Sequence, residues 1–303
     1  MRTMNERPIR VRDRRTGVLF DELVYGGAGV DFLYRTAVGS AVERRFLAAP
    51  WFSRLLGRYY RSHASRSRVA PFVRQYGIDL GEFEQVPWDS FDAFFQRAFR
   101  EGARRFDADP RRFPAFAEAR YLAWARHDAD ATFPVKGTAL SAEALLGIRG
   151  AEHAARFREG PVIVARLAPV DYHRYHYPDD GTTLGAWRID GCLHSVNPRA
   201  LAARPDAFAV NSRRVAILAT RNFGTLAYVE VGAIGVGRIE QTAPEDRPFA
   251  RGSEKGRFGF GASTVIVLGE PGAFVPDDDL VSATGRRMET LVRLGEPIAT
   301  GAG

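Results

Sequence analysis

The sequence predicts an α+β chain, helical over residues 1–105 and β-rich over residues 106–303. Three observations carry this. Apolar residues recur at three- and four-residue steps between Val30 and Tyr60. A phenylalanine stripe follows a helix cap at Asp89 or Ser90. After Pro110, short β-branched runs are separated by Gly, Pro and Asp.

In the first stretch Leu33, Tyr34, Val38, Val42, Phe46, Leu47, Trp51, Phe52, Leu55, Leu56, Tyr59 and Tyr60 share helical spacing, with Arg35, Arg44, Arg45, Arg54, Arg58 and Arg61 between them. Pro50 splits it into two helices. Such stripes usually form core, but the Trp, Tyr and Arg content also suits a lipid interface, so the region is expected to associate with membranes. A further helix is predicted near Ser65 to Gln75, confined by Pro71 to its later part, and another carries Phe91, Phe94, Phe95 and Phe99. Beyond Pro110 the predicted strands are Pro161 to Leu167, Arg214 to Ala219, Thr225 to Val231 and Ser263 to Leu268. One short helix, from Ser141 as cap to Gly147 as stop, interrupts them. Strands without regularly alternating helices argue against a doubly wound sheet.

The formal charge of the 303 residues is +7, and Lys136 and Lys255 are the only lysines. An Arg-rich surface is either merely solvated or attracts phosphates, on nucleic acid or on an anionic membrane. Neither a C₂H₂ spacing nor an aromatic RNA-binding signature is present, so no nucleic-acid partner is expected. A single cysteine, Cys192, rules out an internal disulfide framework. No apolar run reaches the roughly 18 residues that span a bilayer, and the charged N-terminus does not read as a secretory signal. A cytoplasmic protein, peripherally associated with the membrane, is the expectation.

Two segments could carry chemistry. Asp171-Tyr172-His173-Arg174-Tyr175-His176 places two of six histidines three residues apart. They could be structural, could be general acid and base near neutral pH, or could bind metal, although no third ligand is recognisable. Gly259-Phe260-Gly261-Ala262-Ser263-Thr264 puts small residues before a hydroxyl pair and an apolar strand. It lacks the lysine of a P-loop and any Rossmann spacing; a bulge or tight turn is the plain alternative.

From Tyr34 to Ile298 the chain resembles phosphatidylserine decarboxylase proenzymes. The resemblance rests on Ser90 to Arg97, Val135-Lys136-Gly137, Asp171 to His176, His194-Ser195-Val196-Asn197-Pro198, Val231-Gly232-Ala233 and Gly259 to Ile266, in that order. It implies that Ser263 attacks the carbonyl before it, so that the chain breaks between Ala262 and Ser263 and leaves a pyruvoyl group on the new N-terminus. Small residues around the bond suit the distortion this needs.

It implies further that a histidine of the Asp171–His176 motif is the cleavage base, with His176 the choice, and that His173 handles substrate or proton transfer during decarboxylation. The orienting acid of the family lies in an Asp-Gly turn, where this chain has Glu118-Ala119. The implied substrate is phosphatidylserine, met at an anionic membrane surface by a homodimer of processed protomers. Two alternatives stay open: an unprocessed relative that binds a lipid or partner, and a decarboxylase of a soluble amino acid.

Overall fold

The computed structural model describes residues 9–24, 27–126, 141–235, 238–261 and 263–301. The Val135-Lys136-Gly137 motif and Ala262 lie outside the described residues.

The chain opens with two short strands, β1 (Arg10–Asp13) and β2 (Leu19–Asp21). Helices α1 (Gly27–Arg35) and α2 (Ala37–Val42) follow, and α2 runs into a π-helical turn, Glu43–Leu47. Helix α3 (Pro50–Arg61) starts on Pro50, whose missing N–H is no loss in a first turn. Pro71 is accommodated in the same way in α4 (Val69–Tyr76), which stops at Gly77 in the left-handed conformation. In α5 (Phe91–Phe95) the Ser90 side chain accepts from Ala93 N–H, a regular N-cap.

The remainder comprises β3 (Arg112–Pro114), β4 (Ala119–Trp124), α6 (Ala142–Leu146), α7 (Ala151–Ala154), β5 (Val162–Leu167), β6 (Arg174–His176) and β7 (Gly181–Ile189). Next come α8 (Pro198–Ala203), α9 (Ala207–Val210), β8 (Arg213–Thr220), β9 (Thr225–Val231), β10 (Ile239–Gln241), β11 (Glu254–Phe258) and β12 (Ser263–Gly269). The chain ends with β13 (Phe274–Pro276), α10 (Asp278–Gly285), β14 (Glu289–Val292) and β15 (Pro297–Gly301).

Nine strands form the main sheet, in the order β2-β1-β14-β4-β5-β12-β9-β8-β7. Every residue of β12 is buried, because side chains alternate between two covered faces. Val265 and Val267 join one core, shared with Tyr175 and Phe258 of the β10-β11-β6 sheet and Phe113 and Phe274 of the β13-β15-β3 sheet. Ile266 and Leu268 join the other, closed by Leu145, Leu146, Leu201 and Phe208 from the short helices. A third cluster gathers Tyr60, Phe72, Phe91, Phe94 and Phe95 from the N-terminal helices around Phe260. The segment just before Ser263 is thus packed into the helical part of the chain.

The N-terminal part is not purely helical. Strand β1 pairs in parallel with β14, and Arg14 reaches Asp277 and Asp279 at 2.8 Å. With only Val11 buried in Arg10–Asp13, that strand carries almost no hydrophobic pattern to read. The β-rich part also holds more helix than expected: α7 to α10 beside α6. Among the described residues, no helix is long and apolar enough to cross a membrane.

Candidate active site

Ser263 is the first residue of β12, opposite Leu167 of β5, and its side chain is fully buried. The approach to it is pinned peptide by peptide. Phe258 N–H donates to the His173 carbonyl at 2.9 Å and Gly259 N–H to the Arg238 carbonyl at 3.0 Å. Phe260 N–H donates to Asp92 Oδ1 at 2.9 Å. Gly261 then takes φ +140°, a conformation that side-chain-bearing residues rarely adopt. This is the turn at which glycine is required, one residue short of Ala262.

Among the described residues, three polar atoms around this turn are buried without a hydrogen-bond partner: Ser263 Oγ, Thr264 Oγ1 and His173 Nε2. A buried hydroxyl without a partner costs about 1–3 kcal/mol, so the grouping of these atoms at one turn calls for a reason. The His173 ring packs against Phe95 at a tilt of 35°, with centroids 3.8 Å apart. Its Nδ1 lies 3.0 Å from the Asp171 carbonyl, an acceptor only, so Nδ1 carries the proton and Nε2 keeps its lone pair. Burial pushes the His173 pKa down to about 3, while the nearby Asp171 carbonyl and Gly261 backbone pull the other way. The imidazole is therefore neutral at physiological pH and can accept a proton at Nε2.

His176 is differently placed. Its Nδ1 donates to the Gly252 carbonyl at 2.9 Å, and Nε2 faces the Tyr172 hydroxyl at 3.3 Å. Both nitrogens are engaged, and burial lowers its pKa also. Glu118, expected to orient a histidine, instead accepts from Arg104 Nε at 2.5 Å and Nη2 at 2.7 Å, and from Leu294 N–H at 3.3 Å. Among the described residues it touches neither ring. The orienting group at His173 is the Asp171 carbonyl.

Asp171 is held by a buried charge network. Its carboxylate pairs with Arg120 and accepts from Ala168 N–H at 2.7 Å. Arg120 and Arg166, opposite one another on β4 and β5, share Glu22, and Arg166 also pairs with Glu289. The two guanidiniums hold Glu22 down to about pH 2 against the burial that would raise it. Arg97 Nη2 donates to the carbonyls of Val170 at 2.9 Å and Asp171 at 3.2 Å. Neither network was visible in local spacing. Asp92, Phe95 and Arg97 belong to a motif noted in the sequence without an assigned role. A buried carboxylate inside a phenylalanine stripe was the available signal.

A cavity of about 240 Å³ reaches Gly261. Arg166 and Asn197 line its polar side; Leu47, Phe52, Leu56 and Tyr60 supply an apolar wall from the N-terminal helices. The arrangement combines a buried hydroxyl, a base with an open nitrogen, and an amphipathic approach.

Comparison with known proteins identifies the family. The family described as phosphatidylserine decarboxylase matches residues 91–300. A phosphatidylserine decarboxylase proenzyme of Clostridium novyi is 35% identical over 294 residues, 96% of this chain and 99% of its own length. The proenzyme of Ruminiclostridium cellulolyticum is 34% identical, covering 96% of this chain and 97% of its own length. That of Chlamydia trachomatis is 34% identical, with 94% and 95% covered.

Proposed function

This chain belongs to the phosphatidylserine decarboxylase family, and we propose that it decarboxylates phosphatidylserine to phosphatidylethanolamine with a pyruvoyl group made from its own Ser263. The observation that carries the reading is the pair of buried, partnerless atoms, Ser263 Oγ and His173 Nε2, beside a turn that only Gly261 can make.

Ser263 Oγ attacks the carbonyl carbon of residue 262 and the peptide C–N bond breaks, giving an ester; the hydroxyl proton is taken by His173 and passed to the new amine. Loss of the Ser263 Cα proton then expels the residue-262 carboxylate, and water replaces the nitrogen as ammonia. The geometry favours His173 for the first proton, because its Nε2 is open and the Gly261 backbone adjoins the ring. His176, the choice from resemblance, supports Tyr172 and the Gly252 turn. Glu118 has a structural part, through Arg104.

The pyruvoyl group fits a site whose buried hydroxyl and imidazole lack other partners. It supplies a ketone that condenses with the substrate amine and draws off the electron pair left by departing CO₂. His173 Nε2 is then the group placed to hold and return a proton, and Phe260 and Tyr60, 4.0 Å apart, exclude water from one side.

A lipid substrate agrees with the outer surface of the N-terminal helices. Helix α3 buries Ser53, Gly57 and Tyr60 and turns Trp51 (49% exposed) and Leu55 (61%) outward, with exposed Phe46 (50%) on the preceding turn. Arg44, Arg45, Arg54 and Arg58 flank them, suiting a peripheral position on an anionic bilayer.

Denaturing gels and intact mass provide the test. Two chains, residues 1–262 and 263–303, are expected from the wild type and one from Ser263→Ala. A wild type that stays whole overturns the self-cleavage. CO₂ release from phosphatidylserine vesicles, compared with free amino acids, tests the substrate, and a processed protein that releases CO₂ only from amino acids overturns the lipid assignment.

A further inference from the structure

Within the self-cleavage reading, we infer that Asp92 is the positioning residue of the reaction: its Oδ1 fixes the peptide of Phe260 so that the scissile carbonyl meets Ser263 Oγ. Strand pairing holds β11 as far as Phe258, and beyond it the chain must leave the β10-β11-β6 sheet to enter the main one. Across that gap the hydrogen bond to Asp92, 168 residues away in sequence, is the last restraint before the unusual turn at Gly261. It is also the one restraint of the three supplied by a side chain.

The carboxylate is itself immobilised. Phe91 N–H donates to Ser65 Oγ at 2.9 Å and Ser90 caps Ala93, which fixes the start of α5 on both sides. Asp92 Oδ2 accepts from Gln96 Nε2 at 3.0 Å, which sets the rotamer, and Arg238 Nη2 stands 3.7 Å away. Oδ1 is left to the loop. The Phe260 ring is held on the same side by Tyr60, Phe91 and Phe95, at 4.0, 5.2 and 5.1 Å between centroids. Backbone and ring are therefore anchored by α5 and by Tyr60 of α3, immediately ahead of the turn at Gly261. An intramolecular attack depends on such placement: a displacement of about 1 Å can cost about a hundredfold in rate.

The substitutions Asp92→Asn and Asp92→Glu separate position from charge. Asparagine keeps an oxygen for Phe260 N–H and loses the charge; glutamate keeps the charge and moves the oxygen by one methylene. We expect the wild type and D92N to convert from one chain to two at rates within about threefold, and D92E and D92A to be slower by tenfold or more. Hydroxylamine, which cuts the ester, should not restore the rate in D92E or D92A, because the acyl shift itself is delayed. Melting curves of the same variants on a Ser263→Ala background establish that each is folded; if D92A is not, D92N against D92E decides alone. Equal rates for D92E and wild type, a slow D92N beside a fast D92E, or full recovery with hydroxylamine overturns the inference. A wild type that never splits overturns instead the self-cleavage on which the inference rests.

Discussion

Arg104 grips both carboxylate oxygens of Glu118, at 2.5 and 2.7 Å, and brings Glu82 to its other side at 2.9 Å. Glu118 thus ties the segment before β4 to the loop at Ala103 and, among the described residues, contacts neither histidine ring. Replacing it by alanine leaves Arg104 half-paired and Leu294 N–H bare, a loss of about 1–3 kcal/mol. Glu118→Ala on a Ser263→Ala background should melt lower by several degrees, while Glu118→Ala alone still splits, within about tenfold of the normal rate. Unchanged melting with no cleavage at all would return Glu118 to the chemistry.

The state of His173 makes stability depend on acidity. Its folded pKa, about 3, lies below the ordinary value of 6.5, so the unfolded chain takes up the proton first as pH falls. This contribution is complete above pH 6.5 and is lost progressively below it, by up to about 1.4 kcal/mol per pH unit. His176, lowered by the same burial, acts in the same direction. Urea midpoints of Ser263→Ala between pH 6.5 and 4.5 should fall more steeply than those of the Ser263→Ala, His173→Gln double variant. Parallel slopes would mean that His173 is not held neutral.

Two histidines give two distinguishable phenotypes. His173→Ala should slow chain splitting by a hundredfold or more, on the order expected for loss of a general base. His176→Ala should slow it less and should lower melting, because Tyr172 and the Gly252 carbonyl lose their partner. The reverse ranking, read from gel time courses, would restore His176 as the base.

Glu22 sits between Arg120 and Arg166 with its side chain 4% exposed. Without it, two buried guanidiniums on neighbouring strands face each other, a loss on the order of 3–5 kcal/mol. Glu22→Ala should therefore shift the urea midpoint more than any surface substitution. A midpoint within experimental error of wild type would show that the network is already balanced by Glu289 and Asp171.

On the outer face of α3, Trp51→Glu with Leu55→Glu should leave melting unchanged, since both residues are solvent-exposed. Co-sedimentation with vesicles of phosphatidylserine and phosphatidylcholine should fall by tenfold or more. Binding that survives the double change would move the lipid contact elsewhere.

Much of the frame is legible in the sequence, and for physical reasons. Buried strands such as β5, β9 and β12 read as largely apolar runs, and Ser90 marks the start of α5 by its capping chemistry. What stays hidden is made by register. Arg120 and Arg166 face each other only because β4 and β5 pair, and Glu22, Asp171 and Glu289 reach them from distant segments. Asp92 likewise finds Phe260 across the fold. The partners of the expected site residues, Asp171 and Phe95 at His173, Gly252 and Tyr172 at His176, and Arg104 at Glu118, needed three dimensions.

Strand β12 begins with Ser263 and lies between β5 and β9, paired to both along its length. The proposed break just before it would leave residues 263–301 threaded through the middle of the sheet, with β14 bonded to β1 and β4 and β15 to β3. The two pieces would be inseparable without unfolding the whole. Once unfolded, the two chains would have to find one another again in solution, because the peptide bond that joined them would be gone. The working lifetime of such a molecule would then follow the rate of its first complete unfolding.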